Sequence, residues 1–208
     1  MKITPVFDDP KALPIWKLED IEIPKFIQGA CLEEAPWISY PEYHGWIGVP
    51  GLEQMVVGMS GRYLHKEKEY CDHKFKNINE ELVEFLKVQQ DYDFNNDYPV
   101  TGFQQKLEHS RFRFDTVRDN PGFRQTPHVD NRLIMCTALI NLSDNDEGAG
   151  TYYYDYFDFY TKGKQTLIYT GPSKKGTGLL HVNTCVNLHE GWNNTESNRF
   201  IAFGNIGL

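Results

Sequence analysis

The apolar positions of this chain change period twice. Over residues 1 to about 50, apolar and aromatic side chains, Trp16, Trp37 and Trp46 among them, are interrupted by Pro5, Pro10, Pro14, Pro24, Pro36, Pro41 and Pro50. Each proline removes a ladder donor, so this stretch predicts short strands and turns laid over a core. From Asn77 to about Gln90 the spacing lengthens: Leu82, Phe85, Leu86 and Gln89 share one helical face, and Asn77 with Glu80 makes a helix-start signal. An amphipathic helix that buttresses a sheet is expected there.

After Pro99 the period drops to two. Phe112 and Phe114 alternate with Arg111, Arg113 and Asp115, as in a half-buried strand, and Asn120-Pro121-Gly122 is a turn. Leu133 to Leu142 is an apolar run, followed by a solvated loop over 143–148. Further strands are expected over Thr151–Tyr160, Gln165–Thr170, Gly178–Leu188 (a strand and a turn) and Arg199–Ile206. Short strands separated by turn signals predict a mainly β fold with flanking helices, built on a double-stranded β-helix or jelly-roll core. The expected organisation is one domain over 1–208, with an amino-terminal α/β support layer to about 100 and the core from about 101.

Composition narrows the partners. The formal net charge of -8 disfavours a nucleic-acid phosphate backbone as main partner, and no apolar run approaches the length of a bilayer span. Four dispersed cysteines form no CxxC pair, and no signal peptide opens the chain, so reduced thiols and a cytoplasmic location are expected. Two Asn-x-Ser/Thr triplets, at Asn141 and Asn193, carry no weight without secretion. Cys71-Asp72-His73 with His65 matches no common zinc spacing.

The chemistry concentrates downstream. In an extended strand His128 and Asp130 project from one face, and His189 on a facing strand completes two imidazoles and a carboxylate. Such a set leaves three positions open on Fe(II) for a co-substrate and dioxygen. Arg199 begins the apolar run 200–203, where a guanidinium can hold a carboxylate bidentately. With Arg199 pointing inward, Ile201 and Phe203 share its face. His181 rivals His189 as third ligand, but no arginine follows it at suitable spacing; its plainer role is a hydrogen-bonded neighbour of the site.

The stretch 118–130, ending Thr126-Pro127-His128-Val129-Asp130, resembles the approach to the metal motif of prolyl-hydroxylase-like 2-oxoglutarate/Fe(II) dioxygenases. Asn141-Leu142-Ser143-Asp144 with Gly148-Ala149-Gly150-Thr151 resembles that family's acidic loop and glycine-rich strand start. Gly178-Leu179-Leu180, His189-Glu190-Gly191 and Arg199-Phe200-Ile201-Ala202-Phe203 resemble its closing strands, so the likeness covers about 111–206 in order. It implies His128, Asp130 and His189 as iron ligands and Arg199 as partner of the distal carboxylate of 2-oxoglutarate.

The sequence departs from the family in places. Relatives place a tyrosine about ten residues before the first histidine; Arg118 and Asp119 stand there, Arg118 being the candidate for its co-substrate role against a surface salt bridge. Ala149 interrupts the usual glycine pair, and Tyr152 is a candidate donor to the co-substrate. Related halogenases lack the carboxylate, so Asp130 implies hydroxylation or oxidative demethylation. The tyrosine-rich run 152–160 is either an aromatic substrate surface or ordinary strand packing, and Arg113 and Arg132 are candidate substrate-carboxylate contacts. The expected substrate is peptidyl, an amino acid or another small molecule, together with dioxygen. A cupin-like metalloprotein that ignores 2-oxoglutarate, or a jelly-roll binding module, is the alternative.

Overall fold

Strand alternation alone sorts the carboxy-terminal half into two faces, and the computed structural model shows what covers each. It describes residues 1–9, 13–24, 30–66, 75–89, 107–108, 110–131 and 133–207. Among them are strands β1 (Lys2–Pro5), β2 (Ile15–Glu19), β3 (Trp37–Ser39), β4 (Arg62–His65), β5 (Arg113–Asp119) and β6 (Ile134–Asn141). They continue with β7 (Ala149–Tyr154), β8 (Leu167–Thr170), β9 (Gly178–Val182), β10 (His189–Asn193) and β11 (Arg199–Gly207). Helices are α1 (Ala30–Glu33), α2 (Tyr40–Tyr43), α3 (Glu53–Gly58), α4 (Lys76–Lys87) and α5 (Tyr156–Lys162). The mainly β expectation holds: an eight-stranded sheet, β1-β2-β9-β6-β11-β5-β4-β3, faces a three-stranded sheet, β10-β7-β8, and every pairing is antiparallel. This is the jelly roll.

One face of the large sheet carries Cys136, Ala138 and Ile140 of β6, Leu180 and Val182 of β9, and Phe200, Ala202 and Ile206 of β11. These pack against Ile78, Leu82, Val83 and Leu86 of α4, so the helix buttresses the sheet as its period requires. Its start differs from expectation. Phe75 takes the N-cap position without a side-chain cap, and Asn77 and Glu80 lie inside the helix. Asn79 does the polar work instead: its amide nitrogen donates to Phe112 O (2.8 Å) and its Oδ1 accepts from Phe112 N (3.0 Å). No buried polar group is orphaned at that contact.

The tyrosine-rich run is not one strand. It leaves the sheet at Tyr154 and turns into α5, because Asp155 caps the helix by accepting from Asp158 N (2.8 Å) and Gly163 closes it with φ +64. The other turns follow their residues. Phe123 N donates to Asn120 O (3.0 Å) across Pro121-Gly122, with Gly122 at φ +80, as a type II turn demands. Cys71, Asp72, His73 and Arg132 lie outside the described residues. No described helix is long and apolar enough to cross a membrane.

Candidate metal and anion site

The site face of the large sheet is the other set of alternate residues: Thr137 and Leu139, Leu179 and His181, Arg199, Ile201 and Phe203, Val117 and Asp119. Opposite it, residues 122–128 run antiparallel along β10, with Gly122 N to Asn193 O at 2.7 Å and Gln125 N to Gly191 O at 2.8 Å. At the end of this ladder His128 and His189 exchange both backbone hydrogen bonds (2.8 and 2.9 Å), which sets their side chains on one face with rings 4.5 Å apart. Asp130 follows two residues on. The Asn183 amide nitrogen fixes the backbone there, 3.2 Å from Asp130 O and 2.9 Å from Ile134 O.

The three side chains offer ligand atoms within 4.8 Å of one another, the one such group among the described residues. Asp130 Oδ1 lies 3.7 Å from His128 Nε2 and 3.6 Å from His189 Nε2. Both imidazoles use Nδ1 on a backbone carbonyl, Thr126 O for His128 and Asn187 O for His189, at 2.9 Å each. An Nδ1–H so engaged leaves the Nε2 lone pair toward the cavity, the tautomer a metal requires. Gln125 now meets that lone pair on His128, with Nε2 to Nε2 at 3.0 Å. The other Asp130 oxygen is already bonded, by Thr137 Oγ1 (2.6 Å) and His181 Nε2 (3.1 Å), and Tyr153 OH lies 2.7 Å from His181 Nδ1. His181 therefore orients the carboxylate from behind and supplies no ligand atom.

Electrostatics suit a cation. Burial opposes ionisation of Asp130, but His189, His128 and His181 outweigh it and hold the carboxyl well below the usual range. Burial pushes His189 down to about 3, so its imidazole is neutral at physiological pH, the form that can ligate a metal.

Arg199 reaches the same cavity, whose volume is about 340 Å³, within the range of small-molecule pockets. It is 3% exposed, and burial lowers its pKa to about 10, so it stays charged. Nη1 donates to Gly150 O (3.0 Å) and to Asp119 Oδ2 (3.4 Å), and Nη2 to Thr151 Oγ1 (3.1 Å). Its Nε is buried without a partner. A guanidinium carries five N–H groups, so Nε–H and one Nη2 hydrogen remain for an anion. Ile201 and Phe203 line the cavity beside it, as their shared parity requires.

Two candidate residues lie elsewhere. Arg118 pairs with Phe200 on the helix side of the sheet and stacks over Trp37 and Tyr63; its neighbour Asp119 faces the site. Tyr152 lies on the outer face of the small sheet against Trp192, while Thr151 and Tyr153 turn inward. Both displacements are one step of strand parity. Arg113 is exposed and does not line the cavity. Sequence reasoning gave no role to Arg62, Asp119, Gln125 or Thr137, and it missed that Tyr40, Trp46, Met55 and Met59 of the amino-terminal half wall the cavity. None of these carries a local signal, since only the fold brings them to the site.

No family model matches the chain, and no curated protein matches it in sequence. Solved structures share its fold. A prolyl-4-hydroxylase from Pseudomonas putida aligns over 97% of this chain and 96% of its own, with a TM-score of 0.56 and 12% identity. HygX from Streptomyces hygroscopicus, solved with nickel and 2-oxoglutarate bound, aligns over 95% and 84%, with a TM-score of 0.53 and 12% identity. A 2OG-Fe(II) oxygenase family oxidoreductase from Burkholderia pseudomallei aligns over 46% of this chain and 42% of its own, with a TM-score of 0.36 and 15% identity. The match thus spans less than half the length of that last protein.

Proposed function

We propose that the protein is an Fe(II)- and 2-oxoglutarate-dependent dioxygenase that hydroxylates a C–H bond of an amino-acid, peptidyl or small-molecule substrate. The observation that carries this reading is one cavity holding three converging ligand atoms and, beside them, a buried arginine with Nε–H unspent. An unsatisfied buried donor costs stability, and here it belongs to a side chain that lines the cavity an anionic co-substrate would fill. The fold is shared with a protein that binds nickel and 2-oxoglutarate, which supports the same reading.

In this reading His128 Nε2, His189 Nε2 and Asp130 Oδ1 hold the ion, with Thr137 and His181 fixing the carboxylate through Oδ2. Arg199 and Thr151 orient the distal carboxylate of the co-substrate, and Leu139, Ile201 and Phe203 exclude water around its methylenes. Bound iron supplies activation of dioxygen, coupled to oxidative decarboxylation of the co-substrate to succinate and carbon dioxide. Tyr40, Trp46, Met55 and Met59 form the wall left for the substrate.

The test is anaerobic addition of Fe(II) and 2-oxoglutarate, read as a weak visible charge-transfer band. We expect the band in the native protein and its loss in His128→Ala. Arg199→Ala should keep iron but weaken 2-oxoglutarate binding about 100-fold, the scale of two lost charge-assisted hydrogen bonds. Iron binding without any band moves the reading to a cupin-like metalloprotein. No iron binding moves it to a binding module.

A further inference from the structure

Arg199 must accept a carboxylate in the reading above, yet a carboxylate already touches it. Asp119 is fully buried behind the cavity wall, and its Oδ2 lies 3.4 Å from Arg199 Nη1. A second carboxylate arriving at the same guanidinium would be repelled in a region where water screens little. Arg62 offsets this. Its Nε and Nη2 grip Asp119 Oδ1 and Oδ2 at 2.6 and 2.9 Å, a side-on bidentate pair, which leaves Arg199 only the long contact. Arg62 is 6% exposed, lies over the Phe123 ring at 4.4 Å and lines the cavity itself. Its Nη1 reaches Gln125 Oε1 (3.3 Å), and Gln125 in turn contacts His128. Gly191 lets the two guanidiniums meet, since a Cβ there would stand 3.3 Å from Arg62 Nη2 and 3.7 Å from Arg199 Nη1.

The charges then sort themselves. The guanidiniums of Arg62 and Arg199 cancel the carboxylates of Asp119 and Asp130, so the charge of a divalent ion is left to match a dianion. Without Arg62, the loaded site would carry an uncompensated negative charge. We propose that Arg62, with Asp119 as its counter-ion, is a positioning residue that sets the affinity of the site for the dicarboxylate co-substrate by keeping Arg199 available to it. The proposal rests on the dioxygenase reading and assigns this role to a residue of the amino-terminal half, not to Arg118.

Anaerobic calorimetry of 2-oxoglutarate binding to the iron-loaded full chain tests it, with Arg62→Met, Asp119→Asn and the double variant. Arg62→Met should weaken binding at least tenfold, Asp119→Asn should tighten it about tenfold, and the double variant should return within threefold of the native value. A merely structural role for the pair also predicts rescue in the double variant, but it predicts weaker and not tighter binding in Asp119→Asn, which strands the buried Arg62 guanidinium. If Arg62→Met does not fold, the comparison of Asp119→Asn with the double variant carries the same tenfold expectation. Native affinity in Arg62→Met, or in Asp119→Asn, overturns the proposal while leaving the dioxygenase reading standing. Native protein that binds iron but no 2-oxoglutarate overturns both.

Discussion

At the scale of single residues, the candidate metal-binding group is held together at a cost that pH exposes. In the unfolded chain a histidine takes up a proton below about pH 6.5, but His189 in the fold resists protonation until about 3. Between those values the unfolded state binds more protons, so stability falls as pH drops, approaching ~1.4 kcal/mol per pH unit from this group. Asp130 acts in the same direction at the acid end. Its folded carboxyl is held below the ordinary range, so its contribution is present above about pH 4 and is lost as pH falls toward its folded value. Urea unfolding of the metal-free protein from pH 7 to 4 should therefore show steadily falling stability, with a shallower slope in His189→Asn. A flat native profile would contradict the buried neutral imidazole. His128, Asp130, His189 and Arg199 could be picked out from residue type and spacing because their chemistry is written in the side chain. Thr137 and Asp119 could not, since a threonine in an apolar strand and an aspartate beside an arginine look ordinary until the second sheet is in place.

At the scale of elements, hydrophobic period located the buried strands and α4, and local polar signals decided the rest. Arg118 and Asp119 show the limit: which of two neighbours faces the site depends on register, and Phe200 opposite Arg118 fixes it. The run after Tyr154 shows another. Tyrosines favour strands, but an aspartate cap and a glycine stop enclose seven residues and make a helix of them. No residue of α5 is buried, and Phe157 and Tyr160 are exposed, so its caps rather than packing hold it. Asp155→Ala should cost about 1 kcal/mol locally. Hydrogen exchange of amides 158–162 should accelerate roughly fivefold while the global unfolding midpoint stays put. An unchanged exchange rate would mean that the cap does not stabilise this helix.

At the scale of the molecule, the amino-terminal half is woven into the core, not laid beside it. Its strands flank both edges of the carboxy-terminal four: β1 and β2 extend from β9, and β4 and β3 extend from β5. Trp16, Leu18, Ile21 and Ile23 enter the same buried cluster as Phe114 and Phe200, and Arg62 crosses from β4 to Asp119 of β5. The proline-rich pattern announced strands over a core, but not this edge pairing, because long-range partners leave no periodic trace in either segment. The weave has a thermodynamic consequence. Neither half can keep its apolar face dry or its buried charges paired without the other, so unfolding should be a single cooperative step. Tryptophan fluorescence reports mainly on Trp16, Trp37 and Trp46 of the amino-terminal half, whereas far-ultraviolet circular dichroism follows the sheets. In a denaturant titration the two signals should give one midpoint, and a chain beginning at residue 107 should fail to fold alone. Two separated midpoints, or a folded fragment, would show that the jelly roll stands by itself. The cavity wall formed by Tyr40, Trp46 and Arg62 would then be able to come and go around a core already built.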